Sequence, residues 1–247
     1  MTYCISDLHG CYDEFMALLE QINFNPSNDT LYILGDAIDR GDKPIDCLNY
    51  IMKTPNVHFI IGNHEQMMMD YYNGKDIWGD WGYNGNEITK KQIHDLTDVE
   101  SEKIFSYLIK RPYYKTIDVN GQRYFLSHAG LDVSVPFKYQ TPKALVWSRE
   151  EFYEQKALKD YICIFGHTPT LFLRNSYDCS VWFDTEYKDK ICIDCGCVYG
   201  GALAALRLDD GKVFYIKSNI GRHANMFTLN LDDSVNFLQT AKQSIST

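Results

Sequence analysis

The sequence predicts an α/β fold in which mixed β-sheets are flanked by helices, and three observations support this prediction. Short runs of β-branched and aromatic residues show little alternation with polar residues, which is typical of strands buried on both faces. In the first half of the chain these runs alternate with amphipathic segments, which is the order of parallel βαβ units. In the second half, hairpin patterns add antiparallel strands, so the sheets are expected to be mixed.

The first half of the chain alternates predicted strands with predicted helices. In the first helix, Phe15, Leu18, Leu19 and Ile22 have the spacing of one apolar helix face. A later helix begins at Asp98, where acidic residues in the first turn interact favourably with the helix dipole. The predicted strands are 3–5, 31–34 and 58–61, and the predicted helices are 11–22, 44–53, 65–72 and a segment that starts at 98 and ends before 111.

Two hairpins and another buried strand are predicted in the second half. The first hairpin turns at Asn120-Gly121, a dipeptide favoured in two-residue turns. The second turns at Asp209-Asp210-Gly211, where the residue types are those of a loop. The predicted strands are 113–119 with 122–127, then 162–165, and finally 202–208 with 212–217.

The segment 73–98 interrupts this regular pattern. Its glycines alternate with Trp78, Trp81 and Tyr83. Glycines mixed with aromatic residues predict a loop or short-helix insertion that lies over a site and shapes its entrance. A surface excursion pinned by the two tryptophans is the alternative.

Length and composition favour a single domain over 1–247, with a core from about 3 to 218. The tail, 219–247, is predicted to contain a helix near 232–242 without an assigned role. The eight cysteines are expected to be reduced, because several fall inside predicted buried strands.

Charge and hydropathy exclude some classes of partner. The net charge of -9 argues against a broad surface for DNA or RNA. No apolar stretch is long enough to cross a bilayer and no leader precedes the first strand, so we expect a cytoplasmic protein without a membrane partner. The sequence does not fix the oligomeric state, and a monomer is compatible with it.

Most of the predicted buried strands are followed directly by a polar cluster. Because carboxyl ends of neighbouring strands meet at one rim of a sheet, these clusters should gather there. Carboxylate, amide and imidazole groups without a thiolate suit manganese, iron or zinc, and the set predicts a two-metal site that cleaves phosphate esters. The clusters are Asp7-Leu8-His9-Gly10, Gly35-Asp36-Ala37-Ile38-Asp39-Arg40-Gly41, Gly62-Asn63-His64-Glu65, His128-Ala129-Gly130 and Gly166-His167.

In this order, the clusters resemble those of the phosphoprotein phosphatase family of metallophosphoesterases, and most closely its bacterial and phage lambda-type protein phosphatases. The similarity runs from about Tyr3 to about Leu208. The resemblance implies the calcineurin-like fold, a central sandwich of mixed sheets with helices on both sides (α/β/β/α). It also implies two divalent metal ions, most simply manganese with iron or zinc as alternatives, and direct attack on phosphorus by a hydroxide that bridges them.

The resemblance assigns roles to individual positions. One metal would be held by Asp7, His9 and Asp36, and Asp36 would bridge to the other. The full implied set of metal ligands is Asp7, His9, Asp36, Asn63, His128 and His167.

Further positions are assigned to substrate and to proton transfer. Arg40 and Arg149 resemble arginines that grip phosphate oxygens, with Asn63 beside them. His64 resembles the general acid that protonates the leaving group, and Asp39 resembles the carboxylate that orients the ring of His64.

Three functions follow as hypotheses. The first is a phosphatase acting on phosphoserine or phosphothreonine, with phosphotyrosine as an alternative, in phosphoproteins or phosphopeptides. The second is a symmetrical dinucleoside polyphosphate hydrolase acting on diadenosine tetraphosphate, against which Asp39 weighs because those enzymes usually depart from Asp-Arg-Gly there. The third is a non-catalytic metal-binding regulatory module, against which the complete ligand set argues.

Overall fold

The computed structural model describes residues 1–75, 79–219 and 228–229. Within these ranges the chain forms two five-stranded mixed sheets packed face to face, with helices on the outer side of each. This arrangement confirms the predicted α/β/β/α class. The helix predicted near 232–242 lies outside the described residues, and so does Trp78 of the insertion.

The secondary structure matches most of the predicted bounds. The strands are β1 (Thr2–Ile5), β2 (Thr30–Leu34), β3 (Val57–Ile60), β4 (Tyr114–Val119), β5 (Gln122–Ser127), β6 (Ile162–Phe165), β7 (Trp182–Phe183), β8 (Lys190–Cys192), β9 (Ala202–Arg207) and β10 (Val213–Lys217). The helices are α1 (Tyr12–Gln21), α2 (Pro44–Lys53), α3 (Asn63–Tyr72), α4 (Glu87–Asp95), α5 (Asp98–Leu108), α6 (Pro142–Trp147), α7 (Glu150–Tyr153) and α8 (Thr170–Arg174).

The first sheet has the order β10-β9-β1-β2-β3. Strands β1, β2 and β3 are parallel, because α1 and α2 cross over between them as in the predicted βαβ units. The predicted hairpin of β9 and β10 is confirmed, and β9 joins this sheet antiparallel to β1. Strands that are far apart in the sequence therefore share one sheet.

The second sheet has the order β4-β5-β6-β8-β7. The hairpin of β4 and β5 pairs Val119 with Gln122, and Asn120 and Gly121 both have positive φ values, of 53° and 79°, as a type I′ turn requires. Strands β5, β6 and β8 are parallel. Strand β8 was not predicted from the sequence, because its buried Lys190 interrupts the apolar pattern.

Three apolar layers hold the two sheets and the helices together. Between the sheets, Cys4 and Leu34 of the first pack in one cluster with Leu126 and Ile164 of the second. The opposite face of the first sheet packs against α1 to α5, and the opposite face of the second packs against α6 and α7. Both faces of β1, β2 and β6 are therefore buried, which explains their apolar runs without alternation.

Helix α3 begins two residues earlier than predicted. Asn63 and His64 therefore belong to its first turn, and the Gly62 N–H donates to the Glu65 carboxylate at 3.0 Å. This contact satisfies one of the amide groups that a helix N-terminus leaves without a partner. The third polar cluster is thus the start of a helix rather than a loop before it.

Candidate active site

The polar clusters meet at one rim of the sandwich, where the parallel strands of both sheets end. Each side chain in this group is less than one tenth exposed. Polar groups buried in this way need partners or a bound ion. The group consists of Asp7 and His9 after β1, Asp36 after β2, Asn63 and His64 after β3, His128 after β5 and His167 after β6.

Four of these side chains form a tight group of acceptor atoms. His128 Nε2 lies 2.8 Å from Asn63 Oδ1, 3.2 Å from His167 Nδ1 and 3.3 Å from Asp36 Oδ2. His167 Nδ1 lies 2.9 Å from the same Asn63 oxygen. So many acceptors can share one buried space only around a proton or a metal cation.

Asp36 also faces a second group. Its Oδ2 lies 3.6 Å from His9 Nε2 and 3.8 Å from His64 Nε2. Asp36 is thus common to both groups of possible metal ligands, which is the place that the sequence predicted for a bridging carboxylate. The carboxylate of Asp7 belongs to neither group and instead accepts the His167 N–H at 3.2 and 3.1 Å.

Backbone carbonyls fix the orientation of two imidazoles. The Nδ1–H of His9 donates to the Ile38 carbonyl at 2.9 Å, and that of His128 donates to the Leu34 carbonyl at 2.8 Å. With Nδ1 acting as donor, Nε2 of each ring is directed at the shared carboxylate. This is the arrangement in which a neutral histidine binds a metal.

Burial and neighbouring charges strongly shift the pKa values of the histidines in this group. Burial alone would lower the pKa of His128, but the carboxylates of Asp36 and Asp7 outweigh it and raise that pKa to about 10. Burial lowers the pKa of His9 and of His167 well below the usual range, so both rings are neutral. The donor set of carboxylate, amide and imidazole fits divalent metal ions such as manganese, iron or zinc.

His64 has a partner of its own outside this group. Its Nδ1–H donates to Asp39 Oδ2 at 2.6 Å, and both side chains are buried. Its Nε2 is buried and has no hydrogen-bond partner among the described residues. A ring held at one nitrogen and open at the other fits the predicted general acid.

The family assignment follows from a sequence match that spans this whole rim. Residues 2–201 match the family described as calcineurin-like phosphoesterase. The chain belongs to this family. The match confirms the metallophosphoesterase resemblance predicted from the order of the clusters, and the family's use of divalent metals agrees with the two ligand groups.

Curated relatives of this phosphoesterase include symmetrical bis(5'-nucleosyl)-tetraphosphatases. The protein of that name from Yersinia pestis (strain Pestoides F) is 34% identical over 133 residues, which cover 53% of this chain and 42% of the relative. The same identity and coverage hold for the protein from Yersinia pseudotuberculosis serotype O:3 (strain YPIII). The chain thus spans less than half the length of these relatives.

Solved structures share the fold of this phosphoesterase at low sequence identity. A crystal structure assigned provisionally to a diadenosine tetraphosphatase superposes with a TM-score of 0.66 and 18% identity, covering 88% of this chain and 93% of the other. A protein serine/threonine phosphatase from Saccharomyces cerevisiae gives 0.58 and 15%, covering 90% and 80%. At such identities the likeness establishes the fold and no activity.

Two arginines of the phosphoesterase open onto one cavity beside the histidines. Arg40 lies beside His9 Nε2, and Arg149 donates through Nη1 to the Thr168 hydroxyl at 2.9 Å. The cavity has a volume of about 650 Å³ and is also lined by Asn63. All three residues predicted to bind phosphate therefore face the same space.

At two positions of the predicted clusters only glycine fits, because a carboxylate lies against the backbone there. A Cβ atom on Gly62 would collide with the Asp36 carboxylate, and one on Gly166 would collide with Asp7. Each glycine precedes a proposed ligand, Asn63 or His167. The glycines let the carboxylates approach the backbone, which no larger residue would allow.

Six residues of the rim have left-handed backbone conformations. Each such non-glycine residue costs roughly 1–2 kcal/mol, so the surrounding contacts must hold it in place. A linear pattern of residue types does not reveal this strain. The six are Asp7 (φ 50°), His9 (42°), Asp36 (52°), Asp39 (71°), Arg40 (69°) and His167 (66°).

Glu65 is a site residue whose role the sequence did not supply. Its two carboxylate oxygens accept N–H groups from Asp36, Ala37 and Gly62 at 2.9, 2.8 and 3.0 Å. It thereby ties the loop after β2 to the start of α3. Its position directly after Gly-Asn-His was the only available signal.

Trp81 is a second residue that the sequence did not connect with the site. Its side chain is fully buried, and its Nε1–H donates to Asp39 Oδ2 at 2.7 Å. The insertion also places Asn84 in the wall of the cavity. These contacts support an insertion that lies over the site rather than a surface excursion.

Proposed function

We propose that this chain hydrolyses symmetrical dinucleoside polyphosphates, with diadenosine tetraphosphate as the representative substrate. The curated relatives carry that activity in their name, and this support places it ahead of the phosphoprotein hypothesis. The motif Asp39-Arg40-Gly41 favours a protein phosphatase, but it covers three residues. The similarity to the tetraphosphatases extends over 133 residues, and we therefore give it more weight.

The observation that carries the proposal is the set of residues that lines the cavity. Arg40 and Arg149 provide two guanidinium groups near the metal ligands, and six of the other twelve lining residues are aromatic or apolar. Among the described residues, four of the eight exposed large aromatic side chains line this one cavity. The four are Trp147, Phe172, Tyr177 and Tyr199.

An aromatic wall next to a phosphate site suits a nucleotide. Stacking of a nucleobase on an aromatic side chain is worth roughly 1–3 kcal/mol and does not depend on base identity. The cavity volume of about 650 Å³ lies within the range of sites for molecules of nucleotide size. A phosphopeptide would gain little from such a wall unless an aromatic residue lay beside its phosphate.

The metal ligands of the proposal remain those predicted from the sequence. Asp7, His9 and Asp36 would hold one ion, and Asp36 would share the second with Asn63, His128 and His167. Two bound divalent ions would lower the pKa of a water molecule and neutralise phosphoryl oxygens. The imidazoles of His9 and His167 are neutral, His128 would release its proton when a metal binds, and bulk water is largely excluded from the space around them.

The other side chains act directly on the substrate. Arg40 and Arg149 each present a planar fork that binds two phosphoryl oxygens, and this fixes the phosphorus in place. Where the leaving oxygen is strongly basic, as in an alkyl phosphate, His64 donates a proton to it from Nε2 while Asp39 holds Nδ1–H. The hydrogen bond at Nδ1 fixes the plane of the ring.

The phosphoprotein hypothesis is kept as the second candidate. It is supported by Asp39 and by Trp147-Ser148-Arg149-Glu150, in which Arg149 resembles a phosphate clamp of the lambda-type enzymes. The same cavity would also admit a phosphorylated side chain.

A substrate panel tests the proposal. With manganese-loaded protein, we expect kcat/KM for diadenosine tetraphosphate to exceed that for phosphoserine, phosphothreonine and phosphotyrosine peptides by about tenfold or more, the difference that one or two stacked bases provide. Chromatography should show ADP as the sole product, because cleavage is symmetrical. ATP with AMP, or faster turnover of a phosphopeptide, would contradict the proposal, and no turnover of any substrate would favour the regulatory module.

The role of His64 has its own test. We expect His64→Asn to lose roughly 10²–10⁴-fold in kcat on an alkyl phosphate, and much less on an aryl phosphate with a good leaving group, since only a poor leaving group needs the proton. Thermal unfolding and metal content serve as controls for the fold. Equal losses on both substrates would rule out a general acid.

A further inference from the structure

The insertion contacts the general-acid pair through one buried tryptophan. Trp81 Nε1–H and His64 Nδ1–H donate to the same oxygen of Asp39, at 2.7 and 2.6 Å. The other Asp39 oxygen is buried and has no hydrogen-bond partner in the described part of the chain. The position of this carboxylate is therefore set by two donors that converge on one atom.

The indole ring is itself held by the helix that carries His64. Its centroid lies 5.2 Å from that of Tyr71 and 5.9 Å from that of Tyr72, both in α3. A displacement of Trp81 would thus be opposed by packing against the far end of α3. The tryptophan joins the loop after β2 to the last turn of the helix whose first turn carries His64.

Two further contacts from the insertion hold the backbone next to this carboxylate. The Asp39 N–H donates to the Thr89 hydroxyl at 2.9 Å, and the Arg40 N–H donates to the Gly85 carbonyl at 2.8 Å. Asp39 and Arg40 have consecutive left-handed conformations, with φ values of 71° and 69°. Because such a pair is strained, neighbouring contacts must fix it.

We infer that Trp81 is a positioning residue for proton transfer, which holds the Asp39 carboxylate in the plane and distance at which it fixes the His64 ring. The inference rests on the proposed role of His64 and does not depend on which phosphate compound is the substrate. It gives the insertion a chemical task beyond shaping the entrance.

The first test is Trp81→Phe, which keeps most of the ring packing and removes the N–H donor. General acids contribute roughly 10²–10⁴-fold, and loss of one of two orienting contacts should remove about tenfold of it on an alkyl phosphate. The loss on an aryl phosphate with a good leaving group should stay below about twofold, with KM unchanged. An equal loss on both substrates would indicate a merely structural role and overturn the inference.

Trp182→Phe is the matched control, because Trp182 lies in β7 of the second sheet and contacts Phe165 edge-on at 6.4 Å. It should leave the ratio of the two activities unchanged. A double-mutant cycle with Asp39→Asn sharpens the test. In the Asp39→Asn background, Trp81→Phe should add less than about a twofold loss; an undiminished loss would show that Trp81 acts by another route.

A measurement without turnover separates this inference from the proposed function. In proton NMR, the His64 Nδ1–H signal is assigned by its absence from His64→Asn. We expect Trp81→Phe to shift or broaden that signal, while Trp182→Phe leaves it in place. An unchanged signal overturns the inference even if the enzyme is active, whereas a shifted signal in a protein without phosphoesterase activity would support the positioning contact and refute the proposed function.

Discussion

Two clusters in this molecule contain buried carboxylates, and they differ in how the buried negative charge is compensated. At the rim, Asp36 is buried among imidazole and amide acceptors. In the second sheet, Asp184 and Asp189 are buried beside Lys190, whose Nζ lies 3.0 and 2.5 Å from their oxygens. One cluster contains its own cation, and the other is arranged to receive one.

The two clusters differ in the charged and hydrogen-bonding partners of their buried carboxylates. Lys190 Nζ also donates to the Gln155 carbonyl at 2.7 Å, so the buried ammonium has three oxygen neighbours. Burial would raise the pKa of Asp184, but the Lys190 hydrogen bond and charge outweigh it and lower that pKa. At the rim a proton on His128 takes the place of such a fixed charge. Among the described residues, the Asp36 carboxylate has histidines but no lysine or arginine within ion-pair distance, so a bound cation can take the place that Lys190 fills in the other cluster.

The largest expected effect comes from removing the shared carboxylate. We expect Asp36→Asn to lose more than ~10⁴-fold in turnover, since both metals would lose a ligand and metals supply much of such an enzyme's acceleration. Manganese at 100 times its Kd should stabilise the wild type by about 2.7 kcal/mol and the variant hardly at all. Calorimetric melting with and without manganese measures this, and an equal shift in both proteins would show that the rim is not the metal site.

The second effect concerns the cluster that contains its own cation. Lys190→Met should destabilise the protein by about 3–5 kcal/mol, because two buried carboxylates lose their partner. Denaturant unfolding measures the change, and Lys217→Met on the exposed end of β10 is the control. Activity per folded molecule should be unchanged. A loss of metal affinity in Lys190→Met would mean that the two clusters are coupled.

The smallest expected effect is the pH dependence of metal binding. His128 must lose its proton to bind a metal, and its pKa of about 10 means that this proton is present at neutral pH. Apparent manganese affinity should therefore rise about tenfold per pH unit between pH 6 and 8 for each proton displaced. Calorimetric titrations in buffers of different ionisation enthalpy count these protons, and an affinity independent of pH would exclude His128 as a ligand.

The metal-free protein should show the opposite trend. A histidine whose pKa is raised by folding stabilises the fold fully below its unfolded value of 6.5 and loses that contribution as pH rises toward about 10. Over this window, stability without metal should fall while metal affinity rises. Urea unfolding at several pH values with a chelator present tests the sign.

Within residues 1–75, 79–219 and 228–229, no helix is both long and apolar enough to cross a bilayer. All eight cysteines are buried in the structure.

The sequence by itself determined the buried strands other than β8, the helix Pro44–Lys53, both hairpins and the residue types gathered at the rim. These features depend on local periodicity and turn chemistry, which neighbouring residues express directly. The family followed from the order of the clusters.

Only the tertiary structure decided which of these groups touch. The contact between Asp7 and the His167 N–H joins residues 160 positions apart, and the contact between Trp81 and Asp39 spans 42. Such contacts depend on the order of strands in two sheets and on an insertion folded back over the rim, and no local pattern encodes either. The placement of His64 beside Asp36, the task of Glu65 and the left-handed backbone of the rim have the same origin, because each is imposed by packing between distant segments.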